Sequence, residues 1–282
     1  MPRIEIIDHE DPRIFQFQGL RDHTLRQKRE LPGGEMASWF IAEGDLVVER
    51  ALAAGYELDS ILIDGKRTKP FGDAVGDDVP IYACAPNVLQ HITGYHLHRG
   101  CVACFRRKPL LSVDDVLPDA RNILVCEGIM NPTNMGVILR CAAGLGIDSF
   151  FLDPTCSDPL YRRSGRVSMG EAYALPYARL DAFPDGLDVL REAGVRLVAL
   201  TPGDPGVPGR DALDIAELVV ERDERVALLL GSEGPGLTAG TLETVHQRVR
   251  IPMSGTVDSI NVGSAAAVAF YALQQARRAG ER

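Results

Sequence analysis

From residue 122 onward, short apolar runs alternate with stretches of helical periodicity. The runs are rich in Leu, Val and Ile, and they lie at 122–126, 149–152, 196–200, 226–230 and 249–251. Strands covered on both faces appear in a sequence as continuous apolar runs, and intervening helices are typical of parallel crossovers. The second half of the chain is therefore predicted to be an α/β domain with a parallel sheet covered on both faces.

The last helix is predicted from its apolar stripe. Apolar side chains recur at helical spacing, and small residues at the start of the stripe allow another backbone to approach closely. Arg277 and Arg278 fall in the final turn, where positive charge complements the helix dipole. The stripe consists of Val262, Ala265, Ala266, Ala269, Phe270 and Leu273.

The front part of the chain is predicted to be a smaller α/β domain. A helical stretch at 39–54 is followed by strand-like runs at 61–63, 81–83 and 101–105. Two prolines and three acids between apolar runs then indicate a linker. The predicted organisation is a domain at 1–108, a linker at 109–120 and a domain at 121–282.

Length and composition exclude a membrane-spanning protein. The chain has 282 residues, 45% of them hydrophobic, which is enough for two domains with their own cores. Its longest apolar runs are far shorter than the ~20 residues of a membrane span. The first residues mix acids and bases with no apolar block, so no secretory leader is expected and a cytoplasmic location is predicted.

The net charge of −9 argues against a nonspecific nucleic-acid coat protein, yet it allows local basic patches. On charge alone, such patches fit a solvated surface and a phosphate-binding surface equally well. Four short basic clusters stand out, namely Arg21, Arg26, Lys28 and Arg29; Lys66, Arg67 and Lys69; Arg106, Arg107 and Lys108; and Arg162, Arg163 and Arg166.

The six cysteines lie mostly inside apolar runs, which favours reduced, buried thiols. Cys101 and Cys104 have the spacing of half a zinc site, but no second Cys or His pair follows at that spacing. Residues three apart in a strand also point to opposite faces. No metal site is predicted.

Two phosphate-binding motifs are excluded by their context. The glycines from Gly231 to Gly236 are spaced as in a P-loop, but Leu237 stands where the motif requires lysine. Gly144 and Gly146 close a helix instead of opening one after a strand, so they do not form a dinucleotide fingerprint.

Three loops rich in Gly and Asn follow predicted strands directly. They lie at 131–140, 230–237 and 251–262. Ligands bind at the carboxyl ends of strands in a parallel sheet, so the three loops are expected to converge on one pocket.

These loops read Asn-Pro-Thr-Asn-Met-Gly-Val-Ile-Leu-Arg, Leu-Gly-Ser-Glu-Gly-Pro-Gly-Leu and Ile-Pro-Met-Ser-Gly-Thr-Val-Asp-Ser-Ile-Asn-Val. In this order and spacing they resemble motifs one to three of the SpoU/TrmH branch of the SPOUT methyltransferases, over about residues 121–275. The resemblance implies a deep trefoil knot, an S-adenosylmethionine site, a homodimer and methyl transfer to a ribose 2′-hydroxyl of RNA. The front part resembles the ribosomal-protein-like substrate-binding domain often fused to such enzymes.

The same resemblance assigns roles to individual residues. Catalytic roles fall on Arg140, Asn134, Glu233, Ser259 and Asn261. Cofactor contacts fall on Leu200, Thr201, Pro202, Leu230, Gly231, Ile251, Met253, Asn261 and Ala265. Independently of the resemblance, the basic clusters are expected to provide RNA contacts at Arg21, Arg26, Lys28, Arg162, Arg163 and Arg166. Two positions depart from the family pattern, because Asn131 stands where Asp is common and Gly263 where Ser is common.

Periodicity alone leaves simpler interpretations open. Arg140 lies away from the apparent stripe of Val137, Cys141 and Leu145, as a solvated arginine would. Asn134 has the position of a helix cap. At the level of function, the alternatives to ribose methylation are a noncatalytic RNA-binding factor and a base methyltransferase. The separate front domain favours ribosomal over transfer RNA as the substrate.

Overall fold

The computed structural model describes residues 3–21, 24–30, 33–67, 71, 75–76, 78–97, 100–202, 212–255 and 259–280. The chain forms two compact units. The first comprises Met1–Pro109 and Pro159–Ala174, and the second comprises Leu110–Asp158 and Leu175–Arg282.

The strands are β1 Arg3–Ile6, β2 Trp39–Glu43, β3 Leu58–Asp64, β4 Ile81–Cys84, β5 Cys101–Arg106, β6 Asn122–Cys126, β7 Ser149–Leu152, β8 Tyr177–Arg179, β9 Val195–Leu200, β10 Leu213–Asp214, β11 Arg225–Leu230 and β12 Gln247–Arg250. The α-helices are α1 Asp45–Ala53, α2 Pro86–Thr93, α3 Val113–Val116, α4 Pro132–Gly144, α5 Arg162–Val167, α6 Asp188–Glu192, α7 Ala239–Thr244 and α8 Val262–Gly280. Short 3-10 helices lie at Pro12–Phe17, Leu117–Asp119, Glu171–Tyr173, Asp185–Leu187 and Ile215–Glu217, and a π-helical turn lies at Leu25–Arg29.

The first unit is built on a five-stranded mixed sheet in the order β1-β4-β3-β5-β2. Side chains alternate between the two faces of each strand. In β3, Ile61 and Ile63 enter the core that also contains Val48 of α1, whereas Leu62 enters a second core with Phe17. Both faces of this sheet are therefore covered.

The second unit is built on a seven-stranded sheet in the order β10-β12-β9-β11-β6-β7-β8, and every recorded pairing in it is parallel. One face packs against α3, α6 and their neighbours through Ile123, Leu197 and Leu229. On α8, Ala266, Ala269 and Phe270 are buried, and this helix packs against α4 and β11. The prediction of an α/β fold with a parallel sheet is confirmed.

Most predicted strands agree with the structure to within one or two residues, and 122–126 and 149–152 agree at both ends. The predicted helix at 39–54 is wrong in its first part. Residues Trp39–Glu43 instead pair with β5, and Gly44 turns the chain into α1 with a φ of 99°. Four of these five side chains are buried, Glu43 among them, and a strand buried on both faces has no alternation to distinguish it from a buried helix.

Two segments differ from the predicted domain plan. Residues 113–119 are helical, and Val116, Leu117 and Ala120 belong to the core of the second unit, so this stretch is not an open linker. Residues Pro159–Ala174 belong to the first unit, although the sequence placed them in the second domain. The physical reason is that Leu160 and Tyr173 are buried in the core beneath α1.

Cys101 and Cys104 point into the two different cores of the first unit, as their spacing predicts. All six cysteines are free thiols. Within the described ranges, no helix combines the length and apolar character needed to cross a bilayer.

Candidate active site

The three motif loops all leave the carboxyl edge of the parallel sheet. β11 pairs with β6 and β9, and β12 pairs with β9, so the loops after β6, β9, β11 and β12 emerge from neighbouring strands at the same edge. This is the edge where parallel sheets bind ligands. The predicted convergence of the loops therefore follows from the strand order.

The first loop leads into α4. Asn131 caps this helix, because its Oδ1 accepts a hydrogen bond from the backbone N–H of Thr133 at 2.8 Å, and Pro132 occupies the first helical position. The capping residue is thus Asn131 and not Asn134. An aspartate would cap in the same way, so this departure from the family pattern keeps the local hydrogen bond.

On α4, Asn134 is buried and Arg140 is exposed. The buried stripe of the helix is Met135, Ile138, Leu139 and Ala142, rather than the stripe of Val137, Cys141 and Leu145 expected from periodicity. Arg140 lies off the buried stripe in either case. Among the described residues, its guanidinium has no hydrogen-bond or ion-pair partner.

Asn261 connects the three motif loops. Its side-chain Nδ2 donates to Oδ1 of Asn134 at 3.2 Å and to Oε1 of Glu233 at 2.5 Å. Its Oδ1 accepts from the backbone N–H of Gly263 at 2.9 Å, which caps the start of α8. One amide therefore connects the buried side chain of α4, the acidic loop after β11 and the last helix.

The loop that carries Glu233 is a tight turn. A bridge joins Ser232 to Gly236, and a Cβ at Gly231 would lie 2.2 Å from the carbonyl carbon of Gly236. Only glycine fits at position 231, because the chain passes directly over it. The turn presents Glu233 on the exposed side, next to Asn261.

The positions predicted to contact the cofactor lie along the same edge. Thr201 follows β9 and its N–H donates to the carbonyl oxygen of Val249 at 2.9 Å. The half-buried positions are Leu200, Thr201, Gly231, Ile251, Met253 and Ala265, and Pro202 is exposed. Leu230 is buried inside the sheet, so its side chain faces the core. Ser259 is exposed next to Asn261, and residues 256–258 of the third motif lie outside the described residues.

The basic residues predicted to bind RNA lie in the first unit. Arg21 is exposed and donates to the carbonyl oxygen of Gly94, and Lys28 and Arg163 are exposed. Arg26 lies over the ring of Tyr161, with 5.7 Å from its Cζ to the ring centroid.

Arg162 does not fit its expected role on the RNA surface. Its side chain is only 8% exposed and pairs with the buried carboxylate of Glu43, under the ring of Tyr95. Arg166 is exposed and contacts the other oxygen of Glu43 at 2.8 Å. The charge of Arg162 is therefore neutralised inside the first unit, because Glu43 is buried with it.

Comparison with known proteins places this site in a family. Residues 121–271 match the model of the SpoU rRNA methylase family, and this range contains all three motif loops. The chain belongs to the SpoU rRNA methylase family. A relative in this family, an uncharacterized tRNA/rRNA methyltransferase of Mycobacterium tuberculosis, is 41% identical over 95% of this chain and 90% of its own length.

Two solved structures extend the likeness to almost the whole chain. One is an RNA 2′-O ribose methyltransferase with 28% identity and a TM-score of 0.74, covering 98% of this chain and 100% of its own. The other is an AdoMet-bound rRNA methyltransferase from Sinorhizobium meliloti with 23% identity and a TM-score of 0.77, covering 98% of each chain. Because only 23% of the residues are identical, the similarity to the second structure supports the fold alone.

Sequence reasoning missed two buried acids of this SpoU-family site. Glu127 follows β6, and its Oε2 accepts from the backbone N–H of Thr238 at 3.1 Å, beyond the Glu233 loop. Asp153 follows β7 and accepts a hydrogen bond from the backbone N–H of Gly128. The sequence signal that could have identified them is an acidic residue directly after an apolar strand.

Proposed function

We propose that this SpoU-family protein transfers a methyl group from S-adenosylmethionine to a ribose 2′-hydroxyl of RNA, with ribosomal RNA as the substrate. The observation that carries the proposal is the amide of Asn261, which binds both Asn134 and Glu233 at the carboxyl edge of the sheet. Family membership and the ribose methyltransferase among the structural relatives support the reaction class.

The residues at this edge fit S-adenosylmethionine. Half-buried apolar side chains at Leu200, Ile251 and Met253 offer a surface for a flat base. When bound, the cofactor supplies a methyl carbon attached to a positively charged sulfur. Transfer of that methyl group to the ribose oxygen would leave the sulfur as the neutral thioether of S-adenosylhomocysteine, and the hydroxyl proton would pass to water.

Arg140 is proposed to hold the RNA at the reacting ribose. A guanidinium has a pKa above ~12, so it is a poor base at neutral pH. Its planar donors suit a phosphate and the negative charge that grows on the ribose oxygen. Arg140 is exposed and unpaired among the described residues, so its donors are available to the substrate.

Asn134, Asn261 and Glu233 are proposed to shape the site around that ribose. The buried Asn134 accepts from one hydrogen of the Asn261 amide, and the carboxylate of Glu233 accepts from the same nitrogen. The amide plane of Asn261 is therefore fixed by two partners and by its bond to Gly263. Ser259 lies two residues before Asn261 and is assigned to the same surface.

The proposal includes three further properties expected of this family. The protein forms a homodimer, its fold contains a deep trefoil knot, and it acts in the cytoplasm. Apolar side chains exposed on the second unit support the dimer, since a second copy would cover them. On α8 these are Val268 and Tyr271, with 41% and 55% exposure, and near the motif loops they are Met130 and Ile260, with 66% and 38%. Family membership is the support for the knot.

The test is transfer of labelled methyl from S-adenosylmethionine to unmodified ribosomal RNA and transfer RNA, with the modified nucleoside identified. Wild type and Arg140→Ala are compared at equal concentration. A 2′-O-methyl nucleoside in ribosomal RNA, lost in the variant, is the expected result. A methylated base would instead assign the base methyltransferase alternative, and cofactor binding without transfer to either RNA would assign the noncatalytic one.

A further inference from the structure

Two aspartates flank β7, and each binds one end of the neighbouring segment 121–128, which contains β6. Asp148, just before β7, accepts from the backbone N–H groups of Arg121 and Asn122 at 2.8–3.1 Å. Asp153, just after β7, accepts from the N–H of Gly128 at 2.9 Å. The first contact lies at the amino edge of the sheet and the second at the carboxyl edge, beside the candidate active site.

Asp153 is buried and its carboxylate is fully used. Oδ1 accepts from the backbone N–H groups of Thr155 and Cys156 at 2.8 and 2.7 Å, so it fixes its own loop. Oδ2 reaches across to Gly128, and the hydroxyl of Thr155 contacts both oxygens at 3.0 and 2.9 Å. One oxygen therefore binds the local turn, and the other binds Gly128 in the segment that leads from β6 to the first motif loop.

The loop after β7 binds the segment before the first motif loop at further points. The N–H of Ser157 donates to the carbonyl oxygen of Ile129 at 2.9 Å, and the N–H of Ile129 donates to Sγ of Cys156 at 3.3 Å. Arg179 donates to the carbonyl oxygens of Asp153 and Cys156 at 3.0–3.2 Å from the far side. This arrangement fixes residues 128–131, and Asn131 begins the helix that carries Asn134 and Arg140.

Gly128 also lies against the second motif loop. A Cβ at Gly128 would come within 3.3 Å of Cβ of Ser232, the residue before Glu233. A shift of Gly128 would therefore displace both partners of Asn261, one through α4 and one through the Glu233 loop.

We infer that Asp153 is a positioning residue for methyl transfer, acting through Gly128 on the placement of Asn134, Arg140 and Glu233. The inference rests on the function proposed above. Small displacements of reacting groups reduce the rate of the chemical step steeply, while substrate contacts made elsewhere keep their strength. Asp153 should therefore affect kcat far more than the KM for RNA or for S-adenosylmethionine.

The test compares Asp153→Asn with the matched control Asp148→Asn in the full chain. In Asp153→Asn, the remaining oxygen can stay on Thr155 and Cys156, whereas the new NH2 group faces the N–H of Gly128 and removes the bond between loops. We expect kcat to fall about tenfold or more, with both KM values within about twofold of wild type. Asp148→Asn should keep kcat within about twofold of wild type. Its melting temperature should fall by about as much as that of Asp153→Asn. Equal losses of kcat in the two variants, or a folded Asp153→Asn with wild-type kcat, would overturn the inference.

Thr155→Val is a milder variant in case Asp153→Asn fails to fold. It removes only the hydroxyl that contacts Asp153, at an exposed position, and a kcat reduced two- to fivefold is expected, whereas an unchanged kcat would contradict the inference.

Amide hydrogen exchange over residues 128–135 separates this inference from the proposed function. If the wild type methylates no ribose, the proposed function fails. Faster exchange of this segment in Asp153→Asn but not in Asp148→Asn would still support the link, and identical exchange would refute it.

Discussion

The side chain of Asn261 donates to the buried Asn134 and to the exposed Glu233 from the same nitrogen. These three residues come from three separate motifs, so the amide of Asn261 holds the site together. Because its Oδ1 also caps α8, catalytic and stabilising contributions of this side chain can be separated by chemistry.

Asn261→Asp should abolish the alignment of the site without unfolding the protein. The carboxylate keeps the cap on Gly263 but meets the carboxylate of Glu233, and like charges at this distance repel. We expect kcat to fall by about two orders of magnitude at pH 7, with a melting temperature close to that of wild type. The double variant Asn261→Asp/Glu233→Gln restores a donor to this contact and should recover part of the rate. A double variant that is no faster than Asn261→Asp would count against the contact.

Arg140→Ala should reduce kcat by about two to three orders of magnitude, because the phosphate and the developing negative charge lose their donor. Arg140→Lys should lose nearly as much, since lysine lacks the planar fork. Both variants should keep the unfolding free energy to within about 0.5 kcal/mol, because position 140 is exposed. Arg278→Ala, another exposed arginine on a helix, is the control for loss of charge. An Arg140→Lys enzyme with a near-wild-type rate would contradict this role.

Gly263→Ala should destabilise the second unit by about 1–3 kcal/mol. A Cβ at this position would lie 2.6 Å from Cγ1 of Val137, and β-branched side chains in helices have little freedom to move away. The matched control is Gly144→Ala on α4, where a Cβ meets nothing within 4 Å, and this change should be neutral or slightly stabilising. Urea unfolding measures both. Val137→Ala/Gly263→Ala should regain most of the loss if the contact with Val137 is its cause.

Glu43→Gln should destabilise the first unit by about 3 kcal/mol or more, because it removes the buried negative charge that pairs with the buried Arg162. Arg166→Ala breaks only the exposed contact to Glu43 and should change stability by less than about 1 kcal/mol. The single tryptophan, Trp39, begins the strand that ends at Glu43, so its fluorescence reports this unit. Glu43→Gln/Arg162→Met should be more stable than Glu43→Gln alone. Similar effects of Glu43→Gln and Arg166→Ala would show that burial does not govern this ion pair.

Stability should fall as the pH rises above about 9. Burial raises the pKa of the Cys84 thiol to about 11 and that of the Cys156 thiol to about 12, from an ordinary value of 9.0. Both thiols remain protonated in the folded chain while they ionise in the unfolded one, so their contribution is complete below pH 9 and is lost progressively from pH 9 to 12. Urea unfolding at pH 7, 8, 9 and 10 measures the slope of the unfolding free energy against pH. Cys84→Ala/Cys156→Ala should make the slope shallower but not flat, because burial also raises the pKa of the other four thiols. An equal slope in this variant would assign the pH dependence to other groups.

Some elements of this protein were predictable because their signals are local. Residues close together in the sequence carry the signals for the strands at 122–126 and 149–152, the stripe of α8 and the three motif loops. The parallel order of the strands then brings the loops to one edge of the sheet. The edge strand Trp39–Glu43 was not predictable, since its identity as a strand depends on pairing with β5, more than fifty residues away.

The sequence by itself determined the fold class, the family and the residues of the motif loops, because hydrophobic period and motif spacing are properties of neighbouring residues. Only the tertiary structure decided that Pro159–Ala174 belongs to the first unit, that Arg162 is buried on Glu43, and that Asp153 binds Gly128. Each of these depends on which side chains meet across long separations in the chain. Burial and hydrogen-bond partners are set by that packing, and a local pattern does not contain them.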